Sequence, residues 1–291
     1  MKIAVAGATG KTGRHLVARL CSDGHRVVAL GRDPARFAAV DSRADRRLAD
    51  FADARALAAA LEGAEAVVNC AEARFTEAVL AALPPDCRRL VLTGTMRRFL
   101  AEPDEPGRHA AHAETALARH LRAHPGRTGI IVHFGMIYGP PDDANVERLL
   151  AVVRRWPSWL PLIAPLPGGG RATVQPIYMD DAVETLQRAL DRDDSGPPIT
   201  AAGPPITYAE MVRHCARALG RCSVVLAMPA ALPALAIRLG MRLPFDPKEW
   251  RRTAESKRQS LDPLHARLGI APRSFAEGLA AKLARLDRAD I

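Results

Sequence analysis

Three glycines at intervals of three, Gly7, Gly10 and Gly13, follow directly on the apolar run Ile3-Ala4-Val5-Ala6, and a helical pattern then continues to about Cys21. In such a stretch the first glycine permits a tight turn. The second lets a bound group approach the backbone, and the third lets the helix sit close to the strand. Thr9, Lys11 and Thr12 stand between the glycines. The free amides of the helix's first turn and its positive dipole end then make a seat for a pyrophosphate. A plain glycine turn is the competing account, and it explains neither the strand before nor the helix after.

A dinucleotide seated there would meet the residues that follow the second apolar run, Arg26–Leu30. A carboxylate at that point bonds the ribose 2′-hydroxyl of NAD, but the residues here are Gly31 and Arg32. A guanidinium suits a 2′-phosphate, to which it offers two parallel donors, and Lys11 and Arg36 add charge nearby. The residues therefore favour NADP(H) over NAD(H). Asp33 opposes that reading, although Asp33-Pro34 also fits an N-cap followed by a first-turn proline.

Further apolar runs at 66–70, 89–93 and 128–134, with a weaker one at 47–49, alternate with helical stretches at 53–61, 75–83 and 109–123. Strands separated by stretches long enough to cross over a sheet predict a doubly wound, parallel α/β Rossmann fold. After Tyr138 prolines and the run Gly168-Gly169-Gly170 break the rhythm, with helices expected at 145–156, 181–190, 208–219 and 274–286. The expected division is a Rossmann domain over 1–167, joined in its sheet by part of 171–202, and a smaller C-terminal substrate lobe over 168–291. The expected cleft lies over the carboxyl ends of the strands.

The 291 residues are 48% hydrophobic, enough for a real core, and carry a net charge of +9. Lysine occurs only at 2, 11, 248, 257 and 282, so nearly all of the 41 basic residues are arginines spread along the chain. No basic stripe interleaved with aromatics points to nucleic acid. Five cysteines, at 21, 70, 87, 215 and 222, form no Cys-x-x-Cys pair. They suggest reduced thiols in a cytoplasmic protein and give no metal site. The apolar stretch 224–243 is interrupted by Pro229, Pro233 and Arg238 and reads as a buried helix rather than a membrane span.

Gly7-Ala8-Thr9-Gly10-Lys11-Thr12-Gly13 resembles the signature of atypical and extended short-chain dehydrogenases/reductases. The segments Asp50-Phe51, Asn69-Cys70-Ala71, Gly135-Met136-Ile137-Tyr138-Gly139-Pro140 and 174–181 match in order and spacing. The resemblance is to the NAD-dependent epimerase/dehydratase group, in the branch near the NADPH-binding accessory subunit of respiratory complex I. It implies that Asp50 meets the adenine ring, beside Phe51, that Ala71 lies along the cofactor, and that Gly135, Met136, Ile137 and Tyr138 border the nicotinamide. It also implies pairing into a homodimer through helices of the sheet domain, although no helix presents an apolar outer face that demands it.

The family's chemistry uses a tyrosine with a lysine four residues later, whose ammonium lowers the phenol's pKa, and a Ser or Thr that polarises the substrate. Thr95 matches the hydroxyl position, but Pro106 and Ala110 stand where the tyrosine and lysine belong. The residues four after Tyr138, Tyr178 and Tyr208 are Asp142, Ala182 and Val212, so no Tyr-x-x-x-Lys occurs anywhere in the chain. His133-Phe134 also replaces the family's Arg-Pro. A displaced proton donor would be His109, at the start of a helix with His112, or Tyr138. Arg97 and Gln175 are candidates to bind a small-molecule substrate, and Arg97 with Arg98 reads equally as surface charge. Asp180-Asp181 fits a helix start better than acid/base work. Three functions stay open: an NADP(H)-dependent oxidoreductase or redox isomerase on a small carbonyl or hydroxyl compound, a non-catalytic NADPH-binding structural or sensor protein, and a non-redox cyclase, lyase or dehydratase.

Overall fold

A computed structural model describes residues 1–139, 143, 145–229, 231, 250 and 253–289. The chain divides into two compact units of three stretches each. The first comprises Met1–Phe134, Met179–Ala201 and Ser260–Ala271. The second comprises Gly135–Tyr178, Ala202–Gln259 and Pro272–Ile291.

The first unit is built on a seven-stranded sheet in the order β11-β6-β5-β4-β1-β2-β3. These strands are β1 (Lys2–Ala6), β2 (Arg26–Gly31), β3 (Asp45–Leu48), β4 (Ala66–Asn69), β5 (Arg89–Thr95), β6 (Thr128–Phe134) and β11 (Ile199–Ala201). Every pairing is parallel, and β1 sits in register between β2 and β4, with Val5 opposite Ala29 and Val68. Parallel strands must be linked by crossovers. These are α1 (Lys11–Ser22), α2 (Ala54–Leu61), α3 (Thr76–Ala81), α4 (Glu105–Ala123) and, after the excursion into the second unit, α6 (Met179–Leu190). α1 packs with α6, and α2 and α4 each pack with α3. Leu57, Leu61, Val79 and Leu117 of the latter group share a buried core with Leu90, Leu92 and Ile131 of the sheet. Each such side chain, once fully buried, contributes roughly 1.5–3 kcal/mol of hydrophobic stabilisation. α8 (Asp262–Leu268) closes the β11 end, burying Leu264 and Leu268.

Side-chain caps fix where several helices begin, because each satisfies first-turn amides that would otherwise lack acceptors. Asp53 accepts from Arg55 N and Ala56 N, each at 3.0 Å. Asp104 accepts from Gly107 N at 3.2 Å, so α4 starts at Glu105. His109 therefore lies within the helix rather than at its start. The expected helix over 75–83 is instead a 3-10 turn, Ala73–Phe75, followed by the shorter α3.

The described residues of the second unit form three two-stranded ribbons: β7 (Met136–Tyr138) with β10 (Pro176–Tyr178), β8 (Leu162–Pro167) with β13 (Ser223–Met228), and β9 (Thr173–Val174) with β12 (Ile206–Thr207). Helices α5 (Val146–Arg155), α7 (Tyr208–Ala218) and α9 (Phe275–Ala289) accompany them. Tyr138, Tyr178, Phe275, Leu150 and Leu279 form one buried cluster. Asp180 and Asp181 lie in the first turn of α6, as their order suggested. The reading of 224–243 as a buried helix needs correction at its start. Val224–Met228 belong to strand β13, parallel to β8, with Val224 and Leu226 exposed. The adjacent β-branched Val224 and Val225, with exposed positions at every second residue from 224 to 226, fit a half-covered ribbon better than a helix. Residues 232–249 lie outside the described residues.

Candidate functional site

Two cavities open at the carboxyl ends of the strands of the first unit, and Ala71 and Glu72 line both. The first, of about 220 Å³, brings together Gly7, Thr9, Gly10, Arg32, Arg36, Asp50, Phe51 and Ala71. Its glycines are required by contact as well as by backbone angle. Gly7 has φ +74°, and a Cβ on it would lie 2.6 Å from Ala71 N. On Gly13 a Cβ would lie 2.3 Å from Gly7 O. That closeness presses the start of α1 onto the glycine turn, which is closed by Gly10 N donating to Gly7 O at 2.9 Å. Gly10 is the N-cap, and no side chain caps the helix. Lys11, Thr12 and Gly13 form the first turn beyond the cavity lining.

Arg32 follows the last residue of β2, where it lines the cavity with Arg36. Asp33 is occupied as a cap and accepts from Ala35 N at 3.0 Å. One of its carboxylate oxygens is therefore engaged by the backbone, as its pairing with Pro34 suggested, while Asp33 still lines the cavity between the two guanidinium-bearing residues. At the other wall Phe51 meets Phe75 edge-on, with ring centroids 5.3 Å apart. Asp50 accepts from Ala52 N at 3.0 Å. Asn69, fully buried, accepts from Ala71 N at 3.0 Å and so shapes the turn that both cavities share. Beside it, burial pushes the Cys70 thiol up to about 12, which keeps it protonated and unreactive at neutral pH. A cradle of glycine backbone under an uncapped helix start, faced by two arginines, fits a phosphorylated dinucleotide.

The second cavity, of about 480 Å³, collects Thr93, Gly94 and Thr95 from β5, Glu105, Pro106 and His109 from α4, and Arg74 from the turn after β4. Thr95 and His109 are thus brought together, with Pro106 offering no phenol beside them. Thr95 also accepts from Arg97 N at 3.3 Å. Arg97 does not line either of these cavities, because its guanidinium pairs with Asp104, the cap of α4. Arg98 pairs with Glu114 at 3.1 Å.

Tyr138, Gly135, Met136, Ile137 and Gln175 belong to the second unit. Tyr138 is fully buried among Tyr178 and Phe275, and its hydroxyl donates to Phe275 O at 3.2 Å. Gln175 is likewise buried and clamps a backbone segment, accepting from Gln259 N at 2.7 Å and donating to Gln259 O at 3.1 Å. Both have structural partners that account for their polar groups. Sequence reasoning missed Glu72, Arg74, Phe75 and Glu105. The available signal was position, since the turn after a central parallel strand and the first turn of a crossover helix face the ligand end of the sheet.

Residues 7–132 match the NAD(P)H-binding domain family. A solved short-chain dehydrogenase/reductase superfamily protein from Agrobacterium tumefaciens with bound NAD aligns over 99% of this chain and 98% of its own, with a TM-score of 0.72 at 17% identity. In fold, this chain is similar to that structure. The glycine loop and the strands β2 to β5, with most of β6, fall within the stretch that matches the NAD(P)H-binding family. An uncharacterised protein of Mycobacterium tuberculosis is 35% identical over 234 residues, which cover 79% of this chain. The chain spans about a quarter of that relative's length, 24%. A 3-diazoavenalumate denitrifying reductase from a Streptomyces species is 29% identical over 285 residues, covering 82% of this chain and 87% of the relative. Among the described residues no helix is long and apolar enough to cross a membrane.

Proposed function

We propose that this protein is an NADP(H)-dependent reductase of a small hydride acceptor. The nucleotide lies in the cavity of the glycine loop and the acceptor in the cavity of Thr95 and His109. The observation that carries the reading is the adjacency of the two cavities across Ala71 and Glu72. A nicotinamide nucleotide supplies the hydride when bound. Arg32 and Arg36 bind its 2′-phosphate, a task for which planar, permanently charged donors are suited. Thr95 orients the acceptor, and His109 supplies a proton where the product requires one.

The missing tyrosine and lysine narrow the acceptor. An acceptor that releases nitrogen, as the name of the Streptomyces reductase describes, leaves no alkoxide for a phenol to protonate. Its similarity over most of both chains supports reduction rather than dehydration or cyclisation. The test is a fluorescence titration with NADPH and NADH, followed by NADPH oxidation with a panel of carbonyl, imine and diazo compounds. Tighter NADPH binding and oxidation with at least one compound are expected. His109→Ala should lower kcat about 100-fold or more for an acceptor that needs a proton. The apolar Pro106 and Ala110 favour a second reading, a protein that holds NADPH without turnover. NADPH that co-purifies, does not exchange and is oxidised by no member of the panel would establish it.

A further inference from the structure

Beneath the second cavity lies a polar cluster that the reductase reading leaves unused. His133 on β6 is fully buried and stands in register with Gly94 on β5. Its Nε2 is 2.9 Å from Oε1 of Glu114 on α4, and Arg98 Nε donates to the same oxygen at 3.1 Å. Phe99 packs edge-on against the imidazole, with centroids 5.5 Å apart. A Cβ on residue 94 would fall 2.2 Å from His133 Nδ1, so the imidazole fills the room that a side chain there would occupy. Gly94 itself lines the cavity between Thr93 and Thr95. Residues 106, 110 and 114 share one face of α4 at helical spacing, so Glu114 lies below Pro106, which also lines the cavity.

One ring therefore touches the end of β5 directly and α4 through a carboxylate, and those two elements carry Thr95 and His109. Burial pushes the His133 pKa down; Glu114 pulls it back and Arg98 opposes Glu114. Neither ring nitrogen has a hydrogen bond among the described residues, Nε2 meeting Glu114 as a close charged neighbour only. A buried polar atom in that state destabilises the fold, and an apolar side chain would pack the same space without the penalty.

We infer that His133 is a positioning residue for the second cavity: seated on Gly94 and tied to Glu114, it sets where Thr95 and His109 stand relative to one another. The kinetic part of this inference rests on the reductase reading; the geometric part does not.

The experiment uses the full chain in two variants. His133→Phe keeps a ring against Gly94 and Phe99 but removes both nitrogens, and Glu114→Gln removes the charge with little change of shape. NADPH affinity, which reads the first cavity, should stay within about two-fold in both, because the sites share no partner. With an acceptor found by the panel, kcat should fall about ten-fold or more while the KM for NADPH is unchanged, because small misplacements of reacting groups are costly. In nitrogen-15 spectra of the imidazoles, the His109 signals, located by their loss in His109→Gln, should shift and titrate differently in both variants. If no acceptor is reduced, the reductase reading falls and the spectra alone decide this one. Unmoved His109 signals in a folded Glu114→Gln protein overturn the inference. So does a lower Tm with unchanged kcat, which is what a purely structural role produces. If His133→Phe does not fold, Glu114→Gln decides.

Discussion

Arg32 is the side chain on which nucleotide selection turns. It follows β2 directly and lines the first cavity, and its neighbour Asp33, which lines the cavity too, has one oxygen committed to capping. A charge-assisted hydrogen bond contributes about 1.5–3 kcal/mol, so Arg32→Ser should weaken NADPH binding about 10- to 100-fold while leaving NADH within a few-fold. Parallel titrations of both nucleotides at one ionic strength check this, since salt screens phosphate contacts. Histidines set a second expectation. Burial is the main cause that holds His120 down to about 4 from 6.5, and His133 is lowered for the same reason. Above 6.5 these rings are neutral whether folded or unfolded. As the pH falls below that value the unfolded chain takes up protons that the folded chain refuses, so stability should decline progressively towards about 4. Melting curves across that interval should show a smaller decline in His120→Asn. The glycine loop and Arg32 were legible in the sequence because their role depends on neighbours a few residues away. His133 was visible only as a departure from a family pattern, because its partners Gly94, Glu114 and Arg98 come from elements that the sequence does not place side by side.

Helices and strands were more legible than their ends. The crossovers α1, α2, α4 and α6 follow from periodicity, whereas the start of α4 depends on Asp104, whose cap also holds Arg97. Asp104→Ala should cost about 1–2 kcal/mol, measured by urea unfolding, since it removes the cap and strands a guanidinium. The strand β13 was misread because an apolar stretch of that composition satisfies either period over so few residues. In the second unit the attachment of α9 was not readable at all. Lys282 is fully buried, with its ammonium 3.1 Å from Asp143 and 2.9 Å from Glu147. Lys282→Met takes the ammonium from the buried Asp143 and leaves Glu147 with Arg154 alone, and should cost about 3–5 kcal/mol in the same assay.

The molecule as a whole is laid out in alternating stretches, and the nucleotide-binding unit is completed by residues far from its glycine loop. Truncation after Gln259 keeps all seven strands of the sheet but removes α8, with Leu264, Leu268 and Ile270, together with α9 of the second unit. Three buried aliphatic side chains at roughly 1.5–3 kcal/mol each approach the entire stability of a domain. The truncated chain should therefore melt without a cooperative transition and bind NADPH poorly, as calorimetry and titration would record.

That layout also has a consequence while the chain is being made. Translation releases β1 to β6 early, but β11, which pairs with Val132, His133 and Phe134 at the end of β6, emerges only with residues 199–201, and α8 only from residue 262. Throughout that interval the nascent protein presents an open row of amides and carbonyls along β6, the kind of edge that recruits other chains. Slow elongation between residues 134 and 199 should thus favour aggregates over product, and a chaperone that shields that border should raise the yield.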